Sequence, residues 1–236
     1  MSFSGKNYFI IGATSGIGHR LAEILIADGA NVFTASRKGA EGVPPGAKAT
    51  IIDSTADFTL PEGFLPETLH GLAYCAGSIT LKPANRVSPA DLLQDYNINV
   101  VGAYRCILAS LKGLKASGSG SIVLFSTVAA KLGMGFHASI ASAKGGVEAL
   151  AKSLAAELAP QKIRVNVVAP SLTDTPLAGS LLSTPEKREA SDKRHPLGRV
   201  GTPDDVAQAA AFLLGSNASW ITGQILGVDG GMGSTK

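Results

Sequence analysis

The chain has 236 residues, 45% of them hydrophobic and 17% charged, with a formal net charge of +3. This length can bury one sizeable core, and doubly wound α/β folds often reach it as a single domain. The weak, unclustered positive charge argues against a nucleic-acid partner, and no apolar stretch or leader of signal-peptide form indicates a membrane, so we expect a cytoplasmic protein.

Short aliphatic runs alternate with longer helical patterns from one end of the chain to the other. The runs predict seven strands, at Tyr8–Ile11, Asn31–Ala35, Ala49–Ile52, Leu72–Cys75, Ser121–Phe125, Arg164–Val168 and Gln224–Val228. Helical patterns lie between them, around Gly18–Ala27, Ser88–Leu114, Ala141–Leu158 and Pro203–Leu214. Continuous apolar strands alternating with helices predict an α/β fold, a doubly wound parallel seven-stranded sheet with helices on both faces.

Two segments depart from this alternation. Between Asp53 and Leu72 there is room only for a short, Pro-interrupted segment, so one crossover should be reduced. Residues 176–196 are polar and rich in Ser, Lys and Arg, and we interpret them as a mobile helical flap over a substrate. Nothing else divides the chain, so residues 1–236 should form one domain. Cys75 and Cys106 lie in apolar runs without metal-ligand spacing, which predicts two reduced, buried thiols and no metal.

A glycine-rich turn follows the first strand and leads directly into a helix. Its sequence is Gly12-Ala13-Thr14-Ser15-Gly16-Ile17-Gly18. Such glycines allow a tight turn and let a pyrophosphate approach the free N–H groups of the helix N-terminus. A glycine-rich turn can also serve only to pack a strand against a helix. The strand–turn–helix context favours a Rossmann-type dinucleotide site.

The second strand ends in Ser36-Arg37-Lys38 and has no acidic residue. An acid at this point usually holds the ribose hydroxyls of NAD, whereas an arginine accommodates the 2′-phosphate of NADP. Arg37 and Lys38 therefore predict NADP(H), and the alternative is a solvated basic pair.

The glycine spacing and the motifs that follow resemble the short-chain dehydrogenases/reductases over nearly the whole chain. The matching positions include Asp53, Ala76-Gly77, Asn99, Lys144 in Ser142-Ala143-Lys144, Arg164–Pro170, Thr175, Trp220–Gln224 and Val228–Gly231. Within this family the chain most resembles the 3-oxoacyl-carrier-protein reductases, which implies a similar class of substrate. Tyr74-Cys75 replaces two family asparagines, and Ser171 replaces a glycine.

The resemblance implies a role for each matching residue. Asp53 would contact the adenine, Asn99 would anchor a water leading to Lys144, and Lys144 would hold the nicotinamide ribose. Thr175 would contact the carboxamide end. The full predicted cofactor set is Gly12, Thr14, Ser15, Gly16, Ile17, Gly18, Arg37, Lys38, Asp53, Ser54, Ala76, Gly77, Lys144, Pro170, Thr173 and Thr175.

The catalytic acid of the family is a tyrosine four residues before the lysine, and here that position is Ile140. Isoleucine has no proton to donate, so the usual mechanism cannot operate unchanged. The four tyrosines of the chain do not replace it by position: they are Tyr8, Tyr74, Tyr96 and Tyr104.

His137 is a candidate substitute. His137, Ile140 and Lys144 have the i, i+3, i+7 spacing of one helical stripe, whereas Ser139 lies off it. The enoyl-carrier-protein reductases resemble this arrangement, with a tyrosine seven residues before the lysine. Imidazole titrates near neutral pH and suits proton transfer. The alternative is a histidine near a helix start that makes a local hydrogen bond.

The hydroxyl that orients the substrate stays ambiguous between two residues. Thr127 lies thirteen residues before Ile140, the usual family spacing, and Ser126 lies eighteen before Lys144, the enoyl-reductase spacing. Both could instead be turn residues at a strand end.

Two classes of function follow. One is an NADPH-dependent reductase of a carbonyl, or of an enoyl group, with Asn99, Ser126 or Thr127, His137 and Lys144 in its site. The other is an NADP(H)-binding sensor or assembly partner without turnover. The resemblance implies a homotetramer, and small residues on the helix 141–158 suit a two-fold interface, although they could pack on the chain's own sheet. They are Gly145, Gly146, Ala149 and Ala156.

Overall fold

The computed structural model describes residues 2–235 and contains one parallel sheet of seven strands. Its strands are β1 Asn7–Ile11, β2 Asn31–Ser36, β3 Lys48–Ile51, β4 Gly71–Tyr74, β5 Ser121–Phe125, β6 Arg164–Pro170 and β7 Ile225–Val228. Its α-helices are α1 Gly16–Ala27, α2 Pro89–Tyr96, α3 Gly102–Ala116, α4 Ala138–Leu158, α5 Pro185–Asp192 and α6 Pro203–Leu214. The predicted fold class is confirmed.

Two apolar cores cover the two faces of the sheet. Side chains of α1 and α6 pack on one face, with Tyr8 and Ile10 of β1. Side chains of α3 and α4 pack on the other, with Phe9 and Ile11. Successive β1 residues thus enter opposite cores, as both faces of the sheet are covered.

The strand order is β3-β2-β1-β4-β5-β6-β7. The chain winds outward in one direction from β1 to β3 and in the other from β4 to β7. The order therefore reverses between β1 and β4, and a crevice opens there at the carboxyl ends of the strands.

The connection from β3 to β4 agrees with the expectation of a reduced crossover, since residues 52–70 of the described chain hold no helix. Phe58, Leu60 and Phe64 from this segment pack against the core instead. The segment 176–196 contains a 3₁₀ turn, Pro176–Leu181, followed by α5.

Three sequence expectations need correction. The predicted helix Ser88–Leu114 is two helices, because a π-helical turn, Asn97–Val101, interrupts it. β3 and β4 each end one residue early, so Asp53 lies beyond β3 and Cys75 beyond β4. Cys106 is buried, but Cys75 is only half-buried because it follows the strand and faces the crevice. No helix within residues 2–235 is long and apolar enough to cross a membrane.

Candidate active site

A cavity of about 320 Å³ lies against the glycine-rich turn. Gly12 has φ +86°, and a Cβ there would lie 2.8 Å from the backbone nitrogen of Ala76. A Cβ on Gly18 would lie 2.3 Å from the Gly12 carbonyl oxygen. Only glycine fits at these two positions, and the turn therefore forms an open cradle of backbone.

The N-terminus of α1 opens at this cradle. Ser15 is the residue that precedes the helix, and within residues 2–235 its side chain makes no capping hydrogen bond. The N–H groups of the first turn stay available to an anion, and the helix dipole favours negative charge there. The cradle thus fits a pyrophosphate.

Most of the predicted cofactor residues meet around this smaller cavity. Those that line it are Gly12, Thr14, Ser15, Gly16, Ile17, Gly18, Arg37, Lys38, Asp53, Ser54, Ala76, Gly77 and Thr175. Lys144, Pro170 and Thr173 line the neighbouring larger cavity instead. Thr175 packs over the turn, since a Cβ on Gly16 would come within 3.2 Å of its methyl carbon.

Arg37, Lys38 and Asp53 form the charged rim of the smaller cavity. All three side chains are exposed, and Lys38 lies 3.9 Å from the carboxylate of Glu41. Hydrogen bonds from the Thr55 side chain and backbone lower the pKa of Asp53, with a smaller contribution from the positive charge of Arg37. Asp53 is therefore an anion. Both hydrogen bonds from Thr55 go to its Oδ1, so its Oδ2 can accept further hydrogen bonds.

A larger cavity of about 610 Å³ adjoins the first. Five residues line both, so the two cavities form one continuous cleft; they are Ile17, Cys75, Gly77, Thr175 and Leu177. The larger cavity is mostly apolar, with walls that include Leu81, Phe125, Val128, Leu172 and Met232. It can enclose a largely apolar molecule beside a dinucleotide.

Lys144 and Arg194 are charged side chains that line the larger cavity, and Lys144 is the buried one. Its ammonium nitrogen donates to the Phe125 carbonyl oxygen at 2.8 Å, and the residue is only 9% exposed. Burial lowers the pKa of Lys144 to about 8, against a smaller opposing effect of nearby negative groups. This amine therefore titrates within a range that assays can reach.

Asn99 lies on the π-helical turn, with its Nδ2 bound to Ser78 Oγ at 3.0 Å and to the Asp95 carbonyl oxygen at 2.8 Å. Its buried Oδ1 has no hydrogen-bond partner among the described residues. A Cβ on Gly77 would lie 3.2 Å from this oxygen and 3.5 Å from Lys144 Nζ. The two groups therefore face one small space.

The two candidate hydroxyls differ in their partners. Ser126 is buried, and its Oγ donates to Glu148 Oε1 at 2.7 Å. Thr127 Oγ1 accepts from the Ala129 N–H at 3.3 Å, which leaves its proton available. Both line the larger cavity, but Thr127 is the hydroxyl that can donate to a substrate oxygen.

His137, Ile140 and Lys144 all line the larger cavity. α4 begins at Ala138, so His137 occupies the N-cap position rather than the first turn, and within residues 2–235 its side chain makes no capping hydrogen bond. Its Nδ1 lies 2.6 Å from the Gly135 carbonyl oxygen. A carbonyl only accepts, so Nδ1 carries a proton and Nε2 is the nitrogen free to act on a substrate.

Comparison with known proteins decides the family. A family model described as enoyl-(acyl carrier protein) reductase matches residues 12–233. A tropinone reductase homolog of Arabidopsis thaliana is 35% identical over 98% of this chain and 94% of its own length. The chain belongs to the short-chain dehydrogenase/reductase family.

Further relatives agree with this membership. The 3-oxoacyl-[acyl-carrier-protein] reductase of Thermotoga maritima is 32% identical over 98% of this chain and 99% of its own. A gluconate 5-dehydrogenase from Burkholderia cenocepacia, solved with NADP and tartrate, superposes with a TM-score of 0.89. The two are 26% identical and cover 100% of this chain and 98% of that one. This short-chain dehydrogenase/reductase therefore has the nucleotide-binding fold of an oxidoreductase family.

The sequence analysis did not predict two residues in the site of this short-chain dehydrogenase/reductase, Asp95 and Glu148. Asp95 is 1% exposed and accepts hydrogen bonds from three hydroxyls, those of Ser78, Thr80 and Ser139. Ser139, off the stripe of His137, thus has a structural partner. Asp95 lies four residues before Asn99, and this spacing could have placed it on the same helical face as Asn99. Glu148, which binds Ser126, lies four residues after Lys144 and could have been found in the same way.

Proposed function

We propose that the chain is an NADPH-dependent oxidoreductase that reduces the carbonyl group of a largely apolar substrate. One observation carries the proposal: a single cleft joins the glycine cradle to an apolar cavity, and Thr127, His137 and Lys144 line that cavity. The names of the relatives, a 3-oxoacyl reductase and a tropinone reductase homolog, support carbonyl reduction.

The chain supplies a distinct group for each part of the dinucleotide. The glycine turn and the α1 N-terminus would hold the pyrophosphate, and Arg37 would pair with the 2′-phosphate. Lys144 would bind the nicotinamide ribose through its ammonium group. When bound, NADPH supplies the hydride that is added to the carbonyl carbon.

The residues of the larger cavity would handle the oxygen of the substrate. The Thr127 hydroxyl would donate a hydrogen bond to it and stabilise the negative charge that develops. In the protonated ring of His137, Nε2 would give its proton to the same oxygen.

A second function is favoured by one feature. Ile140 is 5% exposed and takes the place where the family carries its tyrosine, while the cradle and Lys144 remain. A protein of this kind would bind NADP(H) without turnover and act as a sensor or an assembly partner.

NADPH oxidation against a panel of carbonyl and enoyl compounds separates these functions when cofactor binding is measured in parallel. We expect oxidation with a ketone, and we expect His137→Ala to lower kcat by about 10²–10⁴-fold with the NADPH Kd unchanged. Ile140→Tyr should restore part of the activity in the double variant. His19→Ala, assayed at saturating NADPH, is the matched control because His19 lines neither cavity.

Two outcomes would change the assignment. A His137→Ala protein that reduces its substrate within a few-fold of the parent would remove His137 as the donor. Tight NADPH binding without oxidation of any compound would establish the cofactor-binding function instead.

A further inference from the structure

The larger cavity contains a pair of polar residues, Ser171 and His195, that the proposed reduction does not use. Ser171 Oγ lies 2.8 Å from His195 Nε2, and both residues line the cavity. Ser171 directly follows β6, and His195 follows α5. The His195 ring is 3% exposed, so it is a buried polar group with a defined partner at each nitrogen.

The partners of His195 fix the direction of these hydrogen bonds. Nδ1 lies 2.8 Å from the Ser191 carbonyl oxygen, which only accepts, so Nδ1 carries the proton. In the neutral ring, Nε2 then accepts, and Ser171 must donate to it. The hydroxyl proton of Ser171 is therefore engaged, and its oxygen can only accept a hydrogen bond from a molecule in the cavity.

Thr127 has the opposite polarity. Its Oγ1 accepts from the Ala129 N–H, so its proton can be donated into the cavity. Phe125 of β5 pairs in register with Val168 of β6, which places Thr127 and Ser171 just past the ends of neighbouring strands. Neighbouring strands lie about 4.8 Å apart, so this donor and this acceptor, among the polar groups that line the cavity, follow the ends of two strands at that spacing.

We propose that the substrate is a ketone with a free hydroxyl on the next carbon or the next but one. This inference rests on the proposed function and specifies its substrate. Thr127 donates to the ketone oxygen, and Ser171 accepts from the substrate hydroxyl. His195 is a positioning residue that holds Ser171 as an acceptor. The apolar walls enclose the rest of the molecule.

The main alternative is that His195 has only a structural role and holds two segments of the chain together. A Cβ on Gly230 would lie 3.5 Å from the His195 Cβ, so the histidine also packs between α5 and the turn after β7. If the role of His195 were only structural, its substitution would lower the stability of the protein and change the rates for all substrates equally. It would not alter the ratio of rates for two substrates that differ only in a hydroxyl.

Three compounds with one carbon skeleton test the proposal. They are a hydroxy ketone, its O-methyl ether and the parent ketone. The unmodified protein should favour the hydroxy ketone by about tenfold in kcat/KM over the other two, the effect of one hydrogen bond. Ser171→Ala should abolish this preference and leave the parent ketone within about twofold. Ser183→Ala, an exposed serine between the 3₁₀ turn and α5, is the control and should retain the preference.

His195→Phe tests the polarity directly, because without the ring acceptor Ser171 can donate. The ether should then be reduced about as fast as the hydroxy ketone. If this variant does not fold, the Ser171→Ala ratios decide. Equal kcat/KM for the three compounds in the unmodified protein, or a preference that survives Ser171→Ala, would overturn the proposal.

Binding separates this inference from the proposed function. If none of the compounds is reduced, calorimetry on the protein–NADP⁺ complex still compares the hydroxy ketone with the parent ketone. The proposal predicts about tenfold tighter binding of the hydroxy ketone, lost in Ser171→Ala. Equal affinity for both compounds would overturn it, whereas absence of turnover alone counts against the reductase.

Discussion

At the scale of a single residue, the ionisation of Lys144 predicts that NADPH affinity depends on pH. Burial lowers its pKa to about 8, so the amine is charged below that pH and neutral above it. Because the cofactor is an anion, NADPH affinity should fall about tenfold as the pH rises from 7 to 9, the difference between a charged and a neutral hydrogen bond.

Titration calorimetry over this pH range measures the effect. Lys144→Met should bind NADPH weakly and lose this pH dependence. Lys152→Met, at an exposed site on the same helix, should behave as the unmodified protein does. An affinity of the unmodified protein that is flat between pH 7 and 9 would show that the Lys144 charge does not hold the cofactor.

Arg37 should determine the choice of cofactor. A guanidinium pairs with a phosphate through charge-assisted hydrogen bonds, each of which contributes about 1.5–3 kcal/mol. Arg37→Asp should therefore invert a preference for NADPH into one for NADH, measured as the ratio of the two Kd values. Arg86→Asp makes the same charge change at an exposed site outside both cavities and should leave the ratio unchanged. Equal affinities of the unmodified protein for both cofactors would contradict the prediction.

Asp95 ties together three elements around the site. Its carboxylate accepts from Ser78 at 2.6 Å, from Thr80 at 2.9 Å and from Ser139 of α4 at 2.6 Å. Asp95→Ala would leave buried donors without partners, so the free energy of unfolding should fall by about 3 kcal/mol. Asp91→Ala removes the capping box of α2 and an ion pair with Lys82, and should cost less, about 1–2 kcal/mol.

Denaturant unfolding of both variants measures the difference. Equal losses in the two variants would mean that the Asp95 network does not stabilise the junction of α2, the 78–80 loop and α4.

The elements that sequence could predict are those with local signals. Aliphatic runs located all seven strands to within two residues at each end, and the glycine turn located the cradle, because both patterns are contiguous. The π-helical turn escaped because Asn97–Val101 contains no proline or glycine that would mark a break within the helical pattern. The helical pattern predicted α4 from Ala141, whereas the helix begins at Ala138 and His137 is its N-cap residue, so the i, i+3, i+7 stripe starts one residue before the helix.

The polar pairs of the site depended on the fold. Ser139 and Asp95 are 44 residues apart in sequence, and Ser171 and His195 are 24 apart. No local pattern announces such pairs, since only the packing of α2 on α4, and of the α5 segment on β6, brings them together. Contacts of this length are set by the whole fold.

At the scale of the whole molecule, α4 and its neighbours carry the prediction of a homotetramer. A Cβ on Gly145 would meet nothing within 4 Å, and Ala149 and Ala156 are exposed, so these three residues present a face of small side chains. Gly146 does not belong to this face: its Cβ would lie 3.1 Å from Tyr96 of the same chain. Exposed apolar side chains on α2 and α3 suit the same contact. They are Leu93, Tyr96, Tyr104 and Leu108.

Gly145→Glu with Ala149→Glu should therefore lower the assembly mass without unfolding the chain, because like charges would meet at the two-fold axis. Sedimentation at micromolar concentration measures the mass. Gly145→Ala is the control and should keep the assembly. An unmodified protein that sediments as a monomer would rule out the tetramer.

Transfer of deuterium to a ketone from NADPH that carries deuterium at both C4 positions tests the reductase most directly. Mass spectrometry of the alcohol product reports whether the hydride has moved from the cofactor to the carbonyl carbon. Carbonyl reduction in this cleft predicts one deuterium per product molecule at that carbon, with formation slowed in His137→Ala. Bound NADPH with no labelled alcohol from any ketone in the panel would contradict it.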